Sequence, residues 1–399
     1  MLMLMDYFTI DDFDVGEKSV LVRIDINSEV IDGRVMMNER IKEHSRTIKE
    51  LCEKGAKVVA ISHQGRAGGR DFMTLEQHAA LLSKFTPVDF VDDIIGPAAR
   101  LSIENLEAGS ALLLDNVRLL AEETLERTPE EHAKSIFVRK LAPLFDIFIN
   151  DAFSVVHRPH VSVVGFAKVL PSGIGRVMEG ELRALERATY KVERPCVYII
   201  GGVKYEDAFS VIEHALNTGK ADKILTTGFI ANIFLAAKGY FALERYAEAV
   251  RRAEYLLKRF PDKIEVPEDV AVEMDGKRRE LSVSEAEPPI YDIGTKTIEK
   301  YSKIIKDART IIMKGPAGVY EREEFRAGTK ALFEEVAAAE FSLLGGGDTT
   351  SAVNAVGLDK NQFSYVSLAG GALLRYLAGR SLPGLDVLAR TGKLSDDGL

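Results

Sequence analysis

The chain has 399 residues, of which 46% are hydrophobic and 28% charged, and its formal net charge is −9. That length exceeds one ordinary hydrophobic core, so two domains are expected, and the acidic balance argues against a general nucleic-acid binder. No apolar run approaches the ~20 residues a membrane helix needs. The opening MLMLM is cut off by Asp6 and has no basic segment, so it does not read as a secretion signal and a cytoplasmic location is expected. Cys52 and Cys196 are far apart in apolar-periodic segments, and buried free thiols are expected instead of a disulfide.

In chain order, short apolar runs alternate with segments of helical period. VLVRIDIN (20–27) reads as a strand, and IKEHSRTIKELCEKG (41–55) as a helix with Ile41, Ser45, Ile48 and Cys52 on one face, stopped by Gly55. KVVAIS (57–62), ALLLDN (111–116) and DIFIND (146–151) are further strands, and CVYIIGG (196–202), KILTTG (223–228), RTIIMKG (309–315), FSLLGGG (341–347) and FSYVS (363–367) continue the series. This alternation predicts an α/β protein with two doubly wound, Rossmann-like parallel-sheet domains. Pro171, Ser172 and Gly173 break the pattern, and a helix with Val177, Leu182 and Leu185 as apolar positions follows. The expected organisation is an N-terminal domain over 1–172, a hinge helix over 173–189, a C-terminal domain over 190–380 and a final segment over 381–399, with a cleft between the domains. The last residues, ARTGKLSDDGL, read as a frayed tail.

Ligands of open α/β sheets bind outside the carboxyl ends of the strands, so those ends carry the functional signal. In the first half they supply Asp25, Asn27, His63, Arg66, Arg118, His157 and Arg158, and Arg40 precedes the first long helix. One arginine alone is ordinary surface; several at one sheet edge suit the oxygens of a small acid or phosphate. The second half ends its strands in GGVK, TTG, KGPAG, GGGD and AGG. Glycines let backbone amides approach a polyphosphate, and a helix start favours the anion. Asp348 can cap that helix or hold a cation beside a phosphate. GGGD is neither GxGxxG nor GxxxxGK[ST], which leaves the turn ambiguous when read alone, and no GxGxxG follows the first strand, which counts against a nicotinamide enzyme.

The motifs in order resemble those of the phosphoglycerate kinase family from about residue 8 to about 388, most closely its archaeal-type branch. VLVRIDIN is similar to VLVRVDFN, SHQGR to SHxGR, DNVR to ENxR, INDAFSVVHR to VNDAFxxxHR, GGVK to GGAK, GPAGVYE to GPxGVFE and LLGGGDTT to IGGGDT, and LPG (382–384) matches the family's ending. The resemblance implies reversible phosphoryl transfer between 1,3-bisphosphoglycerate with ADP and 3-phosphoglycerate with ATP, Mg2+ accompanying the nucleotide. It also implies hinge-bending closure and a monomer, with a dimer as the alternative, and no nucleic-acid or membrane partner. Matching positions imply that Asp25, Asn27, Arg40, His63, Arg66, Arg118 and Arg158 bind the acid. The nucleotide falls to Gly201, Lys204, Gly294, Glu321, Gly346, Gly347, Asp348 and Thr349, with Asp348 on the metal and Arg40, Lys204, Gly347 and Gly371 at the transfer step.

The nucleotide half departs from the pattern. NGP reads Lys314-Gly315-Pro316, the second lysine of GGAKxxDK falls at Ala208, GGGM reads Thr226-Thr227-Gly228-Phe229, and TGGGAS reads Leu368-Ala369-Gly370-Gly371-Ala372-Leu373. Lys314 is expected to replace the charge lost at Ala208. The alternative reading is a non-catalytic paralogue that binds a small phosphorylated acid; it is disfavoured because Arg40, Lys204 and Asp348 are all present.

Overall fold

The runs of Val, Ile and Leu form the predicted strands in a computed structural model that describes residues 3–390. Consecutive residues of the strand interiors are buried, as in Ala111–Leu114 and Cys196–Ile200. Both faces of each strand are therefore covered, which suits parallel sheets. Contacts divide the chain into two units, one running to Arg183 and resuming at Ser381, the other Ala184–Arg380. The expected tail lies outside the described residues from position 391 onward. Among the described residues no helix is long and apolar enough to cross a membrane.

The first unit holds a six-stranded sheet in the spatial order Asp89–Val91, Ala111–Leu114, Lys57–Ile61, Ser19–Arg23, Ile147–Asn150 and Ser172–Ile174. Its pairings are all parallel. The first strand is shorter than predicted: it ends at Arg23, and Asp25 and Asn27 leave the ladder. Ser172 and Gly173, read as a break, form an edge strand, because Phe8 crosses there: its carbonyl accepts from Ile174 N at 2.8 Å and would lie 2.8 Å from any Cβ on Gly173.

The helix Glu39–Glu53 starts where the Asn38 side chain accepts from Ile41 N at 3.1 Å. It buries Ile41, Ser45 and Ile48 as expected, whereas Cys52 is only half-buried. Cys196 is buried, and both thiols are free. The later helix Arg176–Thr189 takes its start from Asp151, whose Oδ1 accepts from Val177 N at 2.8 Å and Met178 N at 3.1 Å. Its buried stripe is Met178, Leu182, Leu185 and Ala188, so Met178 replaces the expected Val177.

The second unit has six parallel strands in the order Ile264–Glu265, Lys223–Thr226, Cys196–Ile200, Thr310–Lys314, Phe341–Gly345 and Tyr365–Ser367. Numbered along the chain this is 3-2-1-4-5-6, a doubly wound sheet whose order reverses between Cys196–Ile200 and Thr310–Lys314. A small antiparallel sheet, Lys277–Ser282 on Asp269–Met274 on Ile290–Ile293, was not anticipated from the helix–strand alternation. Its hairpin turns at Asp275 and Gly276, whose φ values of 52° and 70° are those of an Asp-Gly type I′ turn.

Candidate active site

At the carboxyl end of the first unit's sheet, Asp25 is the centre of a compact polar constellation. It is 2% exposed, and one of its oxygens lies 3.1 Å from an Arg40 guanidinium nitrogen. The Ser154 hydroxyl donates to the same carboxylate from the turn after the adjacent strand. Burial pushes this carboxyl up, but Arg40, the Ser154 hydroxyl and Arg23 outweigh it and hold the group well below the usual carboxylate range. Asp25 is a fixed anion whose work is to orient cations.

Those cations gather from several loops. Asn27 Oδ1 accepts from Gly65 N at 2.9 Å, tying the loop after the first strand to the one that carries Arg66. Arg118 donates to the Gly65 carbonyl. Burial, then the charges of Arg158, Arg23 and Arg66, pull the Arg118 guanidinium down to about 10. Arg158 is lowered by burial and by Arg66. Arginines that depress one another lie inside a shared field, and an anion placed there relieves it. The structure therefore brings together Asp25, Asn27, Arg40, His63, Arg66, Arg118 and Arg158.

Beneath this cluster is a residue the sequence reading passed over. Arg23 is 1% exposed, and its Nε donates to Ser162 Oγ at 3.0 Å. Ser162 Oγ in turn donates at 2.7 Å to Glu123, which is fully buried. Arg23 Nη2 also contacts His63 Nδ1 at 3.1 Å. Burial holds His63 well below its usual range, so the ring is neutral near pH 7. The available signal was a charged residue inside the apolar run VLVR.

In the second unit, the loops after the strands enclose a cavity of about 360 Å3 lined by Gly202, Gly228, Phe229, Tyr291, Asp292, Pro316, Glu321 and Asp348 among others. Backbones interlock here: Cβ atoms on Gly201 and Gly315 would come within 2.5 Å of Pro316 O and Gly201 O respectively. Only glycine fits at either place, and Gly315 also has φ 78°. Glu321 and Asp348 are exposed at the cavity edge. Lys204 is exposed too, directly before the helix Tyr205–Asn217.

Asp348 is not the helix cap. Gly346 occupies that position with φ 103°, and the helix Gly347–Ala355 has Asp348 as its second residue, with the carboxylate in the first turn. Thr349 is turned inward: its hydroxyl donates to Gly345 O at 2.7 Å and accepts from Gly315 N at 2.9 Å, which joins two of the loops. Gly294 lies apart from the cavity lining as the cap position of the helix Thr295–Lys306, where a Cβ would meet the Asp269 carboxylate at 2.3 Å. Gly371 begins the helix Gly371–Leu377. Among the described residues no group of three or more His, Cys, Asp or Glu could hold a metal ion alone.

The profile of the phosphoglycerate kinase family matches residues 10–380. The chain belongs to this family. It is 46% identical to the phosphoglycerate kinase of Methanobacterium bryantii, over 97% of this chain and 98% of that one. It is 47% identical to that of Methanothermobacter thermautotrophicus, over 95% and 96%. The crystal structure of phosphoglycerate kinase from Pyrococcus horikoshii OT3 superposes with a TM-score of 0.88 at 38% identity, covering 96% of this chain and 98% of the other.

Membership in the phosphoglycerate kinase family suits a polar site at the strand ends of each unit. Phosphoryl transfer involves little covalent chemistry for the protein, so the side chains expected are cations and backbone donors. The arginine cluster of the first unit and the glycine-backed cavity of the second are of these two kinds.

Proposed function

We infer that this phosphoglycerate kinase moves a phosphoryl group reversibly between 1,3-bisphosphoglycerate with ADP and 3-phosphoglycerate with ATP, by direct in-line transfer. The observation that carries the assignment of sites is the field shared by Arg23, Arg66, Arg118 and Arg158 around Asp25 and Arg40. A small phosphorylated acid is the ligand that satisfies it. The nucleotide is assigned to the second unit's cavity, with Glu321 toward the sugar and the amides of Gly346 and Gly347 toward phosphate.

The acceptor oxygen is already ionised, so no general base is needed. Arg40 and Lys204 neutralise the phosphoryl oxygens as charge moves between acceptor and leaving group. Mg2+ fits the chemistry at Asp348, an exposed carboxylate in a helix first turn bordering the cavity, which would hold the metal beside the nucleotide. When bound, the metal supplies charge neutralisation at the phosphates. Hinge-bending closure, a monomeric state and a cytoplasmic location belong to the same proposal.

The test is a coupled assay with 3-phosphoglycerate, ATP and Mg2+. Turnover that saturates in both substrates is expected. Binding of 3-phosphoglycerate without turnover would overturn the catalytic reading.

A further inference from the structure

We propose that Gln64 is a positioning residue of the acid site, setting the spacing of the loops that carry Asn27, Arg66 and Arg118; the proposal rests on the assignment of 3-phosphoglycerate to the first unit. Gln64 lies between His63 and Gly65, in the loop after the strand Lys57–Ile61, and is fully buried. Its amide oxygen accepts from Ser28 N at 2.8 Å, and its amide nitrogen donates to Ser28 O at 2.9 Å. The side chain thereby takes the place of a neighbouring strand where the backbone has left the ladder, and ties this loop to the one after Ser19–Arg23. The second amide proton goes to Asp71 O at 3.1 Å, and the oxygen accepts a second time from His78 Nε2 at 3.0 Å. A primary amide has two protons to donate and two lone pairs to accept with. All four are used within the protein, so Gln64 acts on a ligand only through its neighbours.

Asn116 repeats the device one strand further across the sheet. It is fully buried, its amide oxygen accepts from Gln64 N at 3.2 Å, and its nitrogen donates to Gln64 O at 2.8 Å. Arg118 follows it in the same loop. At the other end, the Asn38 side chain that starts the helix of Arg40 also donates to Ser28 Oγ at 2.9 Å. A buried chain of hydrogen bonds through Asn116, Gln64, Ser28 and Asn38 therefore joins the segments that carry Arg118, Arg66, Asn27 and Arg40, and Gln64 is its middle link. His78 locks that link. The ring is fully buried, its only hydrogen bond among the described residues is the one to Gln64, and Nδ1 has no partner. Burial brings it down to about 4, so it is neutral near pH 7 and holds its one proton on Nε2, toward the Gln64 oxygen.

The experiment is calorimetric titration of the full chain with 3-phosphoglycerate, and separately with ATP plus Mg2+, for the wild type, Gln64→Met, His78→Leu and His78→Gln, with urea midpoints measured alongside. Methionine keeps the length of the side chain and drops its hydrogen bonds. Gln64→Met is expected to bind 3-phosphoglycerate roughly ten- to a hundredfold more weakly, the range for displacing a positioned group by about 1 Å, with ATP affinity unchanged. His78→Leu should show a smaller loss of the same kind, restored in His78→Gln, which still offers an N–H to the Gln64 oxygen. Wild-type affinity for 3-phosphoglycerate in Gln64→Met, beside a lowered urea midpoint, would overturn the proposal and leave the amide chain a stabilising feature alone. Equal losses for both ligands would overturn it too. Should Gln64→Met not fold, His78→Leu is read by the same criteria. A wild type that binds no 3-phosphoglycerate would sink the assignment of the acid to this unit, and this inference with it.

Discussion

Arg23 Nη2 donates to Nδ1 of His63 at 3.1 Å. A guanidinium only donates, so Nδ1 must be the accepting nitrogen and the neutral ring carries its proton on Nε2. The buried arginine therefore sets the tautomer of a residue in the acid site. Replacing it by methionine would leave Glu123 buried without its compensating charge. Arg23→Met is expected to cost ~3–5 kcal/mol of stability, read from the urea midpoint, and to weaken 3-phosphoglycerate binding. An unchanged midpoint would mean that Glu123 is satisfied by Ser162 and by His160, whose Nδ1 lies 3.6 Å from it, alone.

Arg40 has a different balance. It is the cation paired with buried Asp25 and also the one assigned to the transferring group. Arg40→Ala should lower turnover by ~10²–10³ with the circular dichroism spectrum retained. Near-normal turnover would remove Arg40 from the transfer step.

Asp348 is exposed and its carboxylate supports no other side chain by a hydrogen bond or ion pair among the described residues. Asp348→Ala should therefore leave the melting temperature as it is. It should weaken binding of ATP with Mg2+ far more than binding of 3-phosphoglycerate. Equal weakening of both ligands would contradict the division of the two sites between the two units.

Asp292 gives a pH signature. Its carboxyl is buried at the cavity wall, accepts from Gly328 N at 2.9 Å, and is pushed up to about 7, chiefly by burial. The folded state thus holds a proton that the unfolded chain, with a carboxyl near 3.8, has already released. Stability is greatest at low pH on this account and falls as pH rises between those values, at most by ~1.4 kcal/mol per pH unit. Comparing unfolding free energies of the wild type and Asp292→Asn from pH 4 to 7 isolates the contribution. The wild type should lose stability relative to the variant as pH rises, and parallel curves would show that Asp292 is ionised throughout.

Much of this site was legible in sequence because strand ends are local features. His63, Arg66, Arg118 and Arg158 could be marked from their positions after apolar runs, Arg40 from its place before a long helix, and GGGD from its glycines. What was missed depended on neighbours far along the chain. Arg23 reads as an ordinary strand residue until Ser162 and Glu123, well over ninety positions away, are placed around it. The Asp-Gly pair at 275–276 is a local hairpin signal, but it belongs to a small antiparallel sheet that strand–helix alternation does not encode.

The sequence by itself determined the element types, the two-part organisation of parallel sheets and the chemistry of the loops, because hydrophobic period and residue type act over a few positions. Only the tertiary structure decided the strand order, and with it which loops meet. The reversal beside Thr310–Lys314 brings Lys314 under Gly201, 113 positions away, and turns a substituted loop residue into a buried cation. That outcome comes from long-range pairing, which no local pattern encodes.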